Sequence, residues 1–149
     1  MAHFAELKQK TDPTGFTSDK HWIVERVIVV DNKHVDGDEH VSGEDWCKNF
    51  FGGGVWKQTS YNHNFRKKYA GAGNVYDYAK NKFINQQPFA SWSLDENDDW
   101  QSPVAAPSPA DSADYIVNWD EDNRQWTGIK ISDQSNWNWD ASGLAWVSA

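Results

Sequence analysis

Four times from its midpoint onward the chain repeats one short pattern: an apolar or aromatic residue, an Asp, a polar run, then an aromatic. Tyr76-Asp77 precedes Phe83, Leu94-Asp95 precedes Trp100, Trp119-Asp120 precedes Trp126, and Trp139-Asp140 precedes Trp146. An Asp at the end of a strand accepts hydrogen bonds from turn N–H groups, and the polar residues after it reverse the chain. The pattern is that of a β-hairpin, with the flanking rings as cross-strand neighbours. Such a pair adds about 0.2–1 kcal/mol over an alanine pair, and a lone two-stranded hairpin is marginal in water. Each unit therefore needs a cover, which is another hairpin, the N-terminal part of the chain, or a different chain.

The earlier residues read as strands too. "HFAEL" and the β-branched "IVERVIVVDN" form a hairpin across the long connection "KQKTDPTGFTSDKHW". "VWKQTSY" alternates with a period of two, and "NFRKKYAG" continues or returns it. One helix is expected, near 42–50, with Ser42 as its N-cap and Gly52-Gly53-Gly54 as its stop. Leu, Ile and Met are too scarce for a helix bundle, whereas ten Trp supply a core of a few large rings. The expected fold is mainly β: antiparallel hairpins, one short helix and a C-terminal series of aromatic Trp-Asp hairpins. A mainly-β part over 1–102, a Pro/Ala/Ser-rich extended spacer over 103–113 and two Trp-Asp hairpins over 114–149 are the expected divisions. The packing and interface candidates are Trp56, Tyr61, Tyr76, Phe83, Trp92, Trp100, Trp119, Trp126, Trp137, Trp139 and Trp146.

At 149 residues one domain with appendages is the default. With 14 Lys+Arg against 22 Asp+Glu the net charge is −8, which repels phosphate backbones and anionic head groups. Nucleic acid and membranes are therefore poor partners. The single Cys47 forms no internal bridge and has no partners for a zinc-thiolate site. "MAHFAELKQK" holds no apolar run of signal length, which together with Cys47 points to synthesis in a reducing cytoplasm.

Several constellations invite chemistry and are better read plainly. His34, Asp36, Asp38, Glu39 and His40 crowd one loop, but the calcium-loop template finds Gly43 where its bidentate Glu belongs, which leaves a solvated turn. The triple glycine lacks the Lys-Ser/Thr of a phosphate loop, having Val55-Trp56 instead. Asp95, Glu96, Asp98 and Asp99 sit on one turn edge, whereas glycoside hydrolysis needs carboxylates across a cleft. Cys47 stands beside Asp45 and Lys48 with no sign of a base. No catalytic, metal-ligating or cofactor-binding residue is expected.

The stretch "WKQTSYNHNFRKKYAGAGNVYDYAKNKFINQQPFASWSLDENDDWQSPVAAP", with "MAHFAEL" and "VIVVDN", resembles a group of small virion-associated proteins of tailed marine phages, cyanophages in particular. Its most specific part is "WKQTSYN". The resemblance implies a non-enzymatic structural component of the virion, made in the host cytoplasm, whose partners are other virion proteins and copies of itself. Head decoration or fibre is the first location it suggests, tail or baseplate the second. Two features depart from the group's pattern: the long connection after "HFAEL" and the added hairpin "ISDQSNWNWDASGLAW". The alternative is a host-surface glycan-binding module stacking sugars on Trp119, Trp126, Trp137, Trp139 and Trp146. A carboxylate hydrolase built on Asp95 and Asp99 is the third reading.

Overall fold

The structure is a computed structural model and describes residues 1–9, 16, 20–35 and 39–149. The connection between the first two strands lies mostly outside these residues, as do Asp36 and Asp38 of the acidic loop. The chain forms two compact units, Met1–Gln86 and Gln87–Ala149.

In the first unit, β1 (Ala2–Gln9), β2 (His21–Val30), β3 (Val55–Thr59), β4 (Val75–Asp77) and β5 (Lys82–Ile84) make one antiparallel sheet in the order β3-β1-β2-β4-β5. β1 pairs along both of its edges, and side chains pack on both of its faces. Ala5 and Leu7 pack with Val24, Ala70, Tyr76 and Phe83, while Ala2 and Phe4 pack with Val30, Cys47 and Trp56. An irregularity between Glu6 and Leu7 shifts the register with β2.

The helix α1 (Glu39–Phe50) covers the Phe4 side, and Ser42 lies within it rather than capping it. Its sheet-facing residues Gly43 and Cys47 are four apart and small. A Cβ at Gly43 would lie 2.2 Å from the Phe4 ring, so the helix sits this close only because that position is glycine. The helix stops at the triple glycine as its sequence predicts: Gly52, Gly53 and Gly54 all have positive φ, and the Gly53 N–H donates to the Lys48 carbonyl at 2.7 Å.

Burial pushes the Cys47 thiol up to about 11, with the Glu44 charge adding to the shift. At pH 8 native protein is therefore expected to resist a thiol reagent such as DTNB, labelling only as denaturant opens the first unit. Immediate stoichiometric labelling of native protein would show that α1 does not hold Cys47 against the sheet.

"NFRKKYAG" is not a strand. It belongs to a strap of turns running from β3 to β4, in which His63, Arg66 and Lys67 have positive φ. The strap spans the gap between the two edge strands. At β3, Thr59 Oγ1 donates to the Lys68 carbonyl at 3.4 Å and accepts from the Ala70 N–H at 2.8 Å. At β5, the Phe83 N–H donates to the Arg66 carbonyl at 3.0 Å. Both sheet edges are thus paired in part by one segment, which leaves less exposed edge for another chain to extend.

In the second unit, β6 (Ser93–Leu94) and β7 (Trp100–Gln101) form a small hairpin. β8 (Tyr115–Asp120), β9 (Gln125–Lys130), β10 (Asn136–Asp140) and β11 (Ala145–Ser148) form a meander in sequence order. A second short helix, α2 (Pro109–Ser112), is capped by Ser108 and begins with Pro109. It falls in the stretch whose Pro, Ala and Ser content predicts an extended spacer. The division between compact units falls at Gln86 and Gln87, so 103–113 lies inside the second unit. Among the described residues no helix is long and apolar enough to cross a membrane.

Candidate functional site: the aromatic hairpins

The repeated pattern forms the hairpins that its residues predict. Tyr76 faces Phe83, Leu94 faces Trp100, Trp119 faces Trp126 and Trp139 faces Trp146. Each Asp works as a turn acceptor. Asp77 Oδ1 takes the N–H groups of Ala79 and Lys80, Asp95 Oδ1 those of Asn97 and Asp99, Asp120 Oδ1 that of Asn123, and Asp140 Oδ1 those of Ser142 and Gly143. Asn81, Arg124 and Leu144, just before the returning strand, adopt positive φ in the three copies with four-residue loops. Asp95 also accepts from Gln101 Nε2 at 3.0 Å, so its carboxylate is tied into its own hairpin.

Strand alternation in the meander puts Tyr115, Trp119, Trp126, Trp137, Trp139 and Trp146 on one face. The Trp119–Trp126 centroids are 5.1 Å apart and those of Trp139–Trp146 5.3 Å, both edge to face. Trp146 also stacks on Tyr115, with centroids 4.4 Å apart and planes 22° apart. These residues lie on opposite edge strands, three ladder spacings or about 14 Å apart in a flat sheet. Their rings close that gap by leaning over Gly128. A Cβ there would come within 2.7 Å of the Trp146 ring and 3.1 Å of Tyr115.

The cover for this face comes from the same unit. Trp92 sets its ring against Trp119 at 6.1 Å and Trp126 at 5.8 Å. Glu121 accepts from the Trp119 indole N–H at 2.7 Å, from the Ser91 N–H at 2.9 Å and from Ser91 Oγ at 2.8 Å, which fastens the segment carrying Trp92 beside the first Trp-Asp hairpin. The Trp126 indole donates to the Val104 carbonyl at 2.9 Å, and that of Trp146 to the Asp111 carbonyl at 2.8 Å. Residues 103–113 thus serve as a strap bonded to two rings, because backbone carbonyls at Val104 and Asp111 face the indole donors of Trp126 and Trp146. Trp119 and Trp139 are buried, and Trp126, Trp137 and Trp146 are half-buried.

No family model, curated protein or solved structure matches this chain.

The remaining candidates separate by burial. Tyr76 and Phe83 are fully buried and Trp56 nearly so, stacked on Phe51 at 4.9 Å. They form the core of the first unit. Trp100 is half-buried across from Leu94. Tyr61 is exposed, stacked on His3 at 5.5 Å. From the acidic loop, His34 stacks on Trp46 while His40 bonds to Gln58, so those two side chains have separate roles.

Sequence reasoning missed Ser91, Glu121, Val104, Asp111 and Gly128. Glu121 had a signal: the first Trp-Asp hairpin carries Glu where the second carries Ala141. Gly128 had one as well, as a glycine inside a strand of the aromatic series. The carbonyls of Val104 and Asp111 had none, since any residue supplies a carbonyl.

Hydrogen bonds hold several carboxyls of the second unit below their ordinary values: chiefly the Asn123 side chain for Asp120, the Trp119 indole for Glu121, the Ser135 side chain for Asp133 and the Gly143 N–H for Asp140. A depressed folded value lends stability that is complete above the ordinary carboxylate range, about pH 4. That stability drains away as the pH falls through the folded values. Trp fluorescence during acid titration is expected to report loosening of this unit below about pH 4. A Glu121→Gln variant should start less stable at pH 7 and lose less on acidification; an unchanged acid profile would remove Glu121 from the account.

The opposite face of the meander is of another kind. Ile116, Ile129 and Val147 stand exposed there, and Ile116 and Ile129 are direct cross-strand partners. Asn118, Thr127 and Asn138 form a polar row beside them.

Proposed function

We propose that this chain is a non-enzymatic structural component of a phage virion, acting by packing against other virion proteins and copies of itself. Head decoration or fibre is the first location, tail or baseplate the second. The observation that carries this reading is the two-sidedness of the second unit. Its aromatic face is covered from within the unit, while the other face leaves Ile116, Ile129 and Val147 in solvent. Exposed apolar residues alternating with amides on a regular sheet suit contact with another protein subunit. The likeness of "WKQTSYN" and its flanks to small virion proteins of marine phages supplies the kind of assembly.

Two groups that tempt a catalytic reading are engaged otherwise. The Cys47 thiol is buried and protonated, and the Asp95 carboxylate is bonded within its turn. Mass spectrometry of purified particles tests the reading, with the protein expected at structural copy number. An Ile116→Lys, Ile129→Lys variant should fold, as both sites face solvent, yet fail to enter particles. Absence of the wild-type protein from particles would overturn the proposal.

A further inference from the structure

We propose that the cleft between the start of β1 and the strap after β3, in the first unit, binds a neutral saccharide. The cleft has a volume of about 450 Å³, within the range of small-ligand sites. Its walls include His3, Asn32, Gln58, Tyr61, Asn62 and Asn64. Among its described lining residues there is no Asp, Glu, Lys or Arg, in a chain that carries 36 such residues counted as 14 and 22.

That lining selects by chemistry. A carboxamide offers both donors and an acceptor, so it can pair with a hydroxyl in either sense. Among the described lining residues a phosphate or sulfate would find no cation but the Met1 α-ammonium, and a metal ion no carboxylate. An apolar ligand would bury amides without partners, which opposes its binding. A hydroxylated ring supplies partners for the amides and an apolar face for an aromatic side chain. Burial, with the nearby N-terminal charge, holds His3 below its ordinary pKa, so the imidazole adds no charge at neutral pH.

Two parts of the cleft are fixed in advance. Gln58 is only 7 % exposed, and its Oε1 lies 2.8 Å from His40 Nδ1, which holds the carboxamide in place and leaves Nε2 for a ligand. Tyr61 is 64 % exposed yet braced by His3 and by Tyr69 at 5.3 Å, so its ring is positioned without being covered. Preset groups lose less freedom on binding. This site is built from residues of the first unit and does not depend on where the protein sits in a particle.

The test uses the full chain on an array of neutral glucose, galactose, mannose and N-acetylglucosamine oligomers, printed beside sialylated and sulfated glycans, followed by calorimetry with the best free oligosaccharide. Binding of a neutral oligomer is expected, weakened about tenfold by Tyr61→Ala and by Asn62→Ala. Both residues are exposed, so the variants should fold, which circular dichroism checks. Trp126→Phe should leave the affinity unchanged. No neutral binding, binding of anionic glycans alone, or affinity unaltered in the Tyr61→Ala, Asn62→Ala double variant would overturn the proposal. Particle composition is read independently, so failure here and failure of the virion reading are distinguishable.

Discussion

Arg66→Ala is expected to destabilise the first unit by about 3–5 kcal/mol, the usual result of removing one member of a buried ion pair. The Arg66 side chain is only 7 % exposed and that of Glu44 14 %, so solvent screens the pair little. Its Nη1 donates to Glu44 Oε2 at 3.2 Å and to the Gln58 carbonyl at 2.9 Å, and its Nε donates to Asn81 Oδ1 at 2.9 Å. The guanidinium also lies over the Tyr76 ring, 5.6 Å from its centroid. Glu44 Oε2 in turn accepts the Gln58 N–H at 3.1 Å. One carboxylate and one guanidinium therefore satisfy the outward backbone groups of Gln58 on edge strand β3, while the Arg66 carbonyl serves edge strand β5.

Removing the guanidinium leaves the Gln58 carbonyl and much of the Glu44 charge without partners. Lys57, at 3.4 Å from Glu44 Oε1, compensates only in part. Arg66→Lys should fall between wild type and Ala, because an ammonium keeps the charge and loses the fork. Denaturant unfolding of the full chain, followed through Cys47 labelling, isolates this unit, which holds the chain's one cysteine. A shift under about 0.5 kcal/mol for Arg66→Ala, the range of ordinary surface changes, would mean that the strap does not depend on this contact.

Trp119→Ala is expected to cost the second unit about 3–5 kcal/mol, as for a large ring removed from a packed interior. Trp119 contacts Trp92 and Trp126, and its indole N–H is one of three donors on Glu121. Trp119→Phe keeps a ring and loses that charge-assisted bond, so its loss should be the smaller of the two. The ordering wild type, Phe, Ala in Trp-fluorescence unfolding curves is the expected result. Equal losses for Phe and Ala would assign the effect to the Glu121 clamp, and no loss for Ala would show that the unit is not held by its aromatic face.

The hairpins were legible because their cause is local. An Asp, a polar run and a ring at fixed spacing set a turn and a cross-strand pair within eight residues, and all four such turns formed. The helix stop at the triple glycine was legible for the same reason. "NFRKKYAG" misled as a strand because its role depends on edges far away in sequence. Gln58 and Phe83 supply the backbone partners that make it a strap, and nothing in the segment itself names them. Likewise 103–113 has the composition of a spacer, and only the indoles of Trp126 and Trp146 turn it into a cover.

The sequence by itself determined that the chain is mainly β, that Asp77, Asp95, Asp120 and Asp140 reverse it, and that rings meet across each hairpin. Those facts rest on backbone chemistry and a period of two, which act over a few residues. Tertiary structure alone decided which rings share a face, that Gly128 lets Trp146 reach Tyr115, and that Arg66 serves both edges of a five-stranded sheet. Such contacts join residues distant in sequence, and their partners are fixed by strand order and register, which no short stretch encodes.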